Sequence, residues 1–226
     1  MIFNSPQFLL FLTVVFAVYW APLTTNGRHR IPVLLIASYV FYGWWDVRFL
    51  ALILFSSWFN YRMGIAIHDA AKERTKDRLL LLTLIVDLGV LFFFKYFNFF
   101  LDSLQYAFNM DSVPWTINII LPVGISFFTF QTLGYCLDIH QENQEPTRDI
   151  PVFFTFVSFF PLLLAGPIER GRDLLRQLAQ PRSYHRPQLV EGLRLLLIGA
   201  FKKMVIADRF APLADTIFDH PPSSAI

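Results

Sequence analysis

An all-α, polytopic transmembrane helical bundle is the fold class this sequence predicts, and three observations predict it. The chain is 55% hydrophobic and 16% charged, with 26 Phe in 226 residues, a balance too apolar for a soluble domain. Apolar runs with few charges recur over 8–21, 31–45, 49–67, 79–101, 117–137 and 151–167. Trp20, Trp44, Trp45 and Trp58 stand near the ends of such runs, where a membrane protein keeps its aromatic belt. The expected unit is one membrane-embedded domain over 1–226 with five or six membrane segments, one of them a re-entrant candidate, and an amphipathic, interfacial region over 168–209.

The opening MIFNSPQ has no Lys or Arg, and the run from Phe8 to Trp20 lacks a small-residue cleavage pattern. It reads as a retained first span, not a cleaved signal. Orientation follows from basic residues in short loops. Arg28 and Arg30 lie between the first two runs. Lys72, Arg74, Lys76 and Arg78 lie before the fourth, and 102–111 has no basic residue. The N-terminus is then outside and the Lys72–Arg78 loop cytoplasmic.

The next two runs create a conflict. If both cross, the acidic DIHQENQEPTRD is cytoplasmic and Arg170, Arg172, Arg176, Arg182 and Arg186 are outside, which inverts the rule. One of the two runs is therefore expected not to cross. The weaker spanner is LPVGISFFTFQTLGYCLDIH, 121–140, where Pro122 and Gly124 disturb helix formation and the polar content makes lipid exposure costly. It is expected to dip and return, leaving the acidic loop outside; a complete, kinked span is the competing reading.

Within that segment Gly124, Phe128, Gln131, Tyr135 and Asp138 share one helical face, with Thr129 and Thr132 beside it. Polar groups at membrane depth must face protein or water, so the stripe should line a bundle interior or a cavity. Interhelical hydrogen bonding alone is the plainer alternative. Asp87, deep in LLLLTLIVDLGVLFFFKYF, is a site candidate on the same ground, although a structural role is the favoured one. Lys95 is a poor intrahelical partner for it.

After Pro167 the character changes. AGPIERGRDLLRQL brings Glu169, Arg170 and Arg172 to the end of an apolar run, as an anion site or a positive-inside anchor. In LVEGLRLLLIGAFKKMVIADRF, Glu191, Arg194, Lys202 and Arg209 fall on one stripe at helical spacing. That is an interfacial helix or a tilted span with snorkelling lysines.

Several chemistries find no support. The net charge of +2 is small and spread, so no nucleic-acid partner is expected. Cys136 is the only cysteine, which excludes an intrachain disulfide and argues against a Cys-rich zinc site. His29, His68, His140, His185 and His220 lie in polar or loop settings. No HExxH, nucleophile elbow, P-loop or GxGxxG occurs, so no metal or bound cofactor is expected.

LPVGISFFTFQTLGYCLDIH, FVSFFPLLLAGPIERGRDLLRQL and GLRLLLIGAFKKMVIADRFAPLAD, in that order, closely resemble the membrane-bound O-acyltransferase family, and MIFNSPQFLLFL and YVFYGWWD resemble its alginate O-acetyltransferase branch. The resemblance implies a multi-pass enzyme of the cell (inner) membrane. Such an enzyme moves an acyl group, above all acetyl, from a cytoplasmic donor such as acetyl-CoA towards hydroxyls of an envelope or extracellular polysaccharide, with periplasmic or extracellular partner proteins. A close branch serves D-alanyl transfer to teichoic acid. Family members are about twice this long, and their membrane histidine has no counterpart here. The resemblance thus implies an N-terminal half without a catalytic residue of its own, in which Gln131, Thr132, Tyr135, Glu169, Arg170 and Asp87 line or support the substrate path. The rival from another class is a non-catalytic channel, transporter or scaffold.

Overall fold

The computed structural model describes residues 5–22, 29–108, 119–163, 166–167 and 169–219, and every regular element among them is helical. In chain order these are α1 (Pro6–Trp20), α2 (Arg30–Gly43), α3 (Leu50–Asp69), α4 (Glu73–Lys95), α5 (Phe97–Phe108), α6 (Ile125–His140), α7 (Ile150–Ser158), α8 (Phe160–Leu163), α9 (Gly171–Ala179), α10 (Arg186–Phe201) and α11 (Asp208–Asp219). They form two compact units: Ala21–Pro181, and Met1–Trp20 together with Arg182–Ile226.

In the larger unit a short 3-10 turn, Val47–Phe49, leads into α3. Asp46 caps it by accepting from the Arg48 N–H at 2.9 Å, and hydrogen bonds from Arg48 hold the Asp46 carboxyl below the usual carboxylate range. Together the turn and α3 make Val47–Asp69, the one helix among the described residues long and apolar enough to cross a membrane. Trp58 falls in the middle of α3 and not at an end of it, so it does not belong to an interfacial belt. The fourth apolar run, read as continuous over 79–101, breaks by 63° between α4 and α5, and the pair qualifies as a span only if taken together. α1, α2 and Ile150–Leu163 are apolar but shorter.

α6 starts abruptly because Gly124 takes the left-handed conformation, with φ of 78°. A methyl group there would stand 2.8 Å from the Leu163 carbonyl oxygen. The far end closes as a Schellman motif with Glu142 in the position glycine normally fills, at φ of 60°. The Glu142 N–H donates to the Ile139 carbonyl at 3.0 Å and the Asn143 N–H to the Asp138 carbonyl at 2.8 Å.

These ends decide how the disputed segments run. At one end of α6 Ser126 accepts from Lys95 at 3.5 Å; at the other His140 meets Asp77 at 2.9 Å. Lys95 and Asp77 lie near opposite ends of α4, so α6 traverses the length of α4 antiparallel to it. The dip and return expected for 121–140 is corrected accordingly. Its polar groups face other helices, which removes the cost that argued against a crossing. The acidic loop consequently sits beside the α3–α4 turn: Lys76 donates to Glu142 at 3.3 Å and Arg148 to Asp69 at 3.2 Å.

From that end α7 and α8 run back antiparallel to α6. Tyr61 packs on Phe153 at 5.6 Å near the start, and Leu163 meets Gly124 at the finish. Among the described residues that follow, Gly166, Pro167, Glu169 and Arg170 are not helical, and Gly171 lies against Tyr135 and Gln144. Gly124 and Tyr135 are 11 residues apart, about 16 Å along a helix. Leu163 beside Gly124 and Gly171 beside Tyr135 therefore stand about that far apart along α6. α9 buries Gly171, Leu174 and Leu175 and exposes Arg172 and Arg176, an interfacial pattern.

In the smaller unit Trp20 of α1 meets Tyr184 edge-on at 5.4 Å. α10 passes through a π-helical stretch, Lys202–Ala207, into α11, with Lys203 paired to Asp208 across it. That stretch interrupts the 3.6-residue period on which a single stripe from Glu191 to Arg209 depended. Glu191 and Arg194, before it, do pair at 3.8 Å.

Candidate functional site

The polar residues of α6 separate into two groups according to the neighbour they meet. Gln131, 8% exposed, donates from Nε2 to the Phe156 carbonyl at 3.0 Å. That carbonyl lies in the third-last residue of α7, one of the last four whose backbone acceptors a helix cannot satisfy itself. Thr132, fully buried, donates within its own helix to the Phe128 and Thr129 carbonyls at 2.9 and 3.0 Å. Tyr135, also fully buried, accepts at its hydroxyl from the Thr147 N–H at 3.2 Å, and its carbonyl accepts from Gln144 Nε2 at 3.5 Å.

A cavity of about 250 Å3 opens beside this helix, in the half nearer the acidic loop. Phe130, Gln131, Gly134, Leu137, Asp138 and Gln141 of α6 form one wall, and Glu169, Arg170 and Gly171 form the other. Glu169 and Arg170 are non-helical and Gly171 begins α9, so this wall is formed where the chain enters that helix. The lining holds one cation, two carboxylates and two carboxamides among apolar surfaces, enough to orient a polar ligand by hydrogen bonds and charge.

The structure thus brings Gln131, Glu169 and Arg170 to one cavity, and Asp138 and Gln141 with them. Tyr135 and Thr132 do not border it; they are packed behind the wall. Asp87 lies elsewhere, between α3, α4 and α6. It is 4% exposed and accepts from Asn60 Nδ2 at 3.1 Å, while Asn60 Oδ1 lies 3.5 Å from Cys136 Sγ. The second Asp87 oxygen, Oδ2, is buried without a hydrogen-bond partner among the described residues.

Asn60 was not apparent as a partner in the sequence, although an amide within the apolar α3 run is the signal that could have marked it. Gly64, Gln144 and Gly171 were missed as well, because their importance depends on what stands opposite them. The α3–α4 end carries a second recess, about 430 Å3, lined by His68, Lys76, Glu142 and Gln144 among others. Hydrogen bonds to Glu73 and Glu142 push the Lys76 ammonium above the usual lysine range. His140, expected to be polar and superficial, is tied to Asp77 there. Among the described residues no three His, Cys, Asp or Glu side chains are grouped to hold a metal ion.

A base close to a reacting hydroxyl is what acyl transfer most needs. Within this cavity the titratable groups are Asp138, Glu169 and Arg170, with no histidine. The arrangement can bind and orient; no nucleophile–base pair stands in it.

Comparison with known proteins supplies the context. The model of MBOAT, the membrane-bound O-acyltransferase family, matches residues 34–226. The probable alginate O-acetylase AlgI of Azotobacter vinelandii is 40% identical over 222 residues, 96% of this chain and 44% of that protein. Its namesake in Pseudomonas aeruginosa is 41% identical over 223 residues, 96% of this chain and 42% of that protein. The peptidoglycan O-acetyltransferase of Helicobacter pylori is 34% identical over 248 residues, 97% of this chain and 47% of that protein. The chain therefore spans less than half the length of these relatives. No solved structure matches it significantly.

Proposed function

Since the chain belongs to the membrane-bound O-acyltransferase family, we propose that it serves a multi-pass O-acyltransferase of the inner membrane, which passes an acetyl group from a cytoplasmic donor such as acetyl-CoA towards hydroxyls of an envelope polysaccharide such as alginate. The single observation that carries this reading is the likeness, over 96% of the chain, to two proteins named as probable alginate O-acetylases. Periplasmic or extracellular acetylation proteins are the expected partners. This chain is proposed to bind and orient the ligand. Its part is the cavity between α6 and the Glu169–Gly171 stretch, as a section of the ligand path.

Orientation supports that role. The α3–α4 region carries Lys72, Arg74, Lys76 and Arg78, which the positive-inside rule assigns to the cytoplasm. With 150–171 as the re-entrant segment, the acidic loop and the arginines of α9 belong to the same face. The rule is then obeyed without requiring 121–140 to turn back. The cavity lies in the cytoplasmic half, where a soluble donor can reach it. Arg170 supplies a charge-assisted hydrogen bond to an anionic donor group, and Gln131 and Gln141 supply amide contacts.

The test is polymer acetylation in cells lacking the gene and complemented with it. O-acetyl content should vanish and return with the parent gene, and return by less than a tenth, roughly, with Arg170→Ala, since a lost charged contact costs about 2 kcal/mol. An unchanged acetyl content in the deletion would sink the reading and favour a scaffold or transport role. Labelling of an Asn143→Cys protein, in a Cys136→Ser background, only from the periplasm would overturn the orientation.

A further inference from the structure

We propose that Tyr135 is a positioning residue for the cavity: it seats Gly171 and thereby holds Glu169 and Arg170 opposite Gln131 and Asp138. The proposal rests on the reading of that cavity as a ligand site.

The observation is a ring clamped by two glycines on opposite edges. A methyl group on Gly64 of α3 would stand 2.6 Å from Tyr135 Cε1, and one on Gly171 of α9 3.1 Å from Cδ2. Neither position accommodates a side chain unless the ring moves, and the ring has nowhere to go. It is fully buried, with Phe153 at 4.8 Å and Phe156 at 6.2 Å, and its hydroxyl is pinned by the Thr147 N–H at 3.2 Å. Gln144 completes the seat. Its amide reaches the Tyr135 carbonyl, and its Nε2 and Oε1 lie 3.1 and 3.3 Å from the same methyl position on Gly171.

Gly171 is the third of three consecutive residues that wall the cavity, after Glu169 and Arg170. None of the described residues just before it is helical, and Arg170 is held from the other side, where its carbonyl accepts from the Asp173 and Leu174 N–H groups of α9 at 3.1 and 3.3 Å. The placement of Glu169 and Arg170 depends on where the chain is anchored, and the anchor adjacent to them is Gly171 against Tyr135. Tyr135 does not itself line the cavity. Its influence is transmitted through that contact, and a displacement of the wall by a fraction of an ångström alters ligand contacts without altering their chemistry.

The experiment uses the membrane-embedded protein in a Cys136→Ser background. Arg170→Cys reports the wall by its labelling rate with a water-soluble maleimide, and Thr75→Cys, exposed at the start of α4, serves as the control. Gly171→Ala and Tyr135→Leu should each change the rate at position 170 by about five-fold or more and leave position 75 within about two-fold, whereas Tyr135→Phe, which keeps both ring edges, should stay near the parent. In membranes given acetyl-CoA as probe donor, Gly171→Ala alone should raise KM by about ten-fold with kcat within about two-fold. If Tyr135→Leu does not reach the membrane, the single methyl of Gly171→Ala decides by the same readings. Parent labelling at position 170 in Gly171→Ala overturns the positioning role even if Arg170→Ala raises KM. A changed labelling rate with unchanged KM keeps the positioning role and removes the cavity from the donor path.

Discussion

α6 and α10 are both 16 residues long, and they solve opposite problems. α6 buries nine of its residues, among them Thr129, Gln131 and Thr132. α10 buries none, and Leu193, Leu195, Leu196 and Leu197 are 41–68% exposed. A helix of a soluble protein would be arranged the other way round. In lipid the hydrophobic effect gives no reason to hide leucine, while polar groups and close-packing glycines have to find partners in protein. The contrast teaches that in this chain apolarity alone does not mark the interior, where polar groups and glycines are packed among the aromatic and aliphatic core.

The sharpest way to break that contrast is to make one substitution in both settings. Gly64→Ala puts a methyl group 2.6 Å from a buried ring, whereas at Gly192 in α10 a methyl group meets nothing within 4 Å. Overpacking at Gly64 should cost about 2–3 kcal/mol, less the helix propensity that alanine restores. In detergent its apparent Tm should fall by about 5 °C, while Gly192→Ala should hold or rise by about 2 °C. Equal shifts of the same sign would show that α6 and its neighbours are no more closely packed than α10.

Much of this interior was legible in the sequence, and the rest was hidden for definable reasons. The polar face of 121–140 could be read directly, since Gln131 and Asp138 in an apolar run have to face something other than lipid. Glu169 and Arg170 stood out because a charge pair after Gly166 and Pro167 interrupts a hydrophobic stretch. What lies opposite each could not be read. Gly64 and Gly171 are unremarkable until a tyrosine ring is found between them, and Asn60 pairs with Asp87 from 27 residues away. The topological misreading has a different origin. Loop charges fix only the combined crossing parity of two consecutive runs, so the rule required one run to return without saying which. Pro122 and Gly124 suggested the first. In the fold Gly124 begins a regular helix that runs the length of α4, from Lys95 at one end to Asp77 at the other.

Gly124→Ala tests the junction on which that assignment depends. Alanine would have to keep φ of 78° and also stand 2.8 Å from the Leu163 carbonyl oxygen. The left-handed backbone alone costs about 1–2 kcal/mol, and the contact adds to it. The apparent Tm should drop by about 4 °C. A neutral outcome would mean that α8 does not reach the start of α6, and with it the antiparallel course of 150–163 would fail.

Gln131→Leu should do less. The Phe156 carbonyl loses its donor, and intramembrane hydrogen bonds of this kind are worth about 0.6–1 kcal/mol. Stability should fall by about 2 °C, with the loss of polymer acetylation exceeding what that small change explains. Intact folding together with intact acetylation would leave the polar wall of the cavity without a role.

The smallest effect is expected at the opposite end of α6, where two small terms compete. Glu142 occupies the glycine position of the Schellman turn at φ of 60°, which costs about 1 kcal/mol for a residue with a side chain. Its carboxylate also accepts from Lys76 at 3.3 Å, but that carboxylate is 79% exposed, and a pair so open to water contributes little. Lys76 keeps Glu73 at 2.8 Å when Glu142 is removed, so no buried charge is stranded. Glu142→Gly should therefore leave the protein unchanged or raise its apparent Tm by about 1–2 °C, the gain growing at high salt, where the lost ion pair counts for less. A fall of several degrees would mean that the charge pair, and not the backbone turn, ties the acidic loop to the α3–α4 end. The shared face of those two loops would then depend on pairing that ionic strength can loosen.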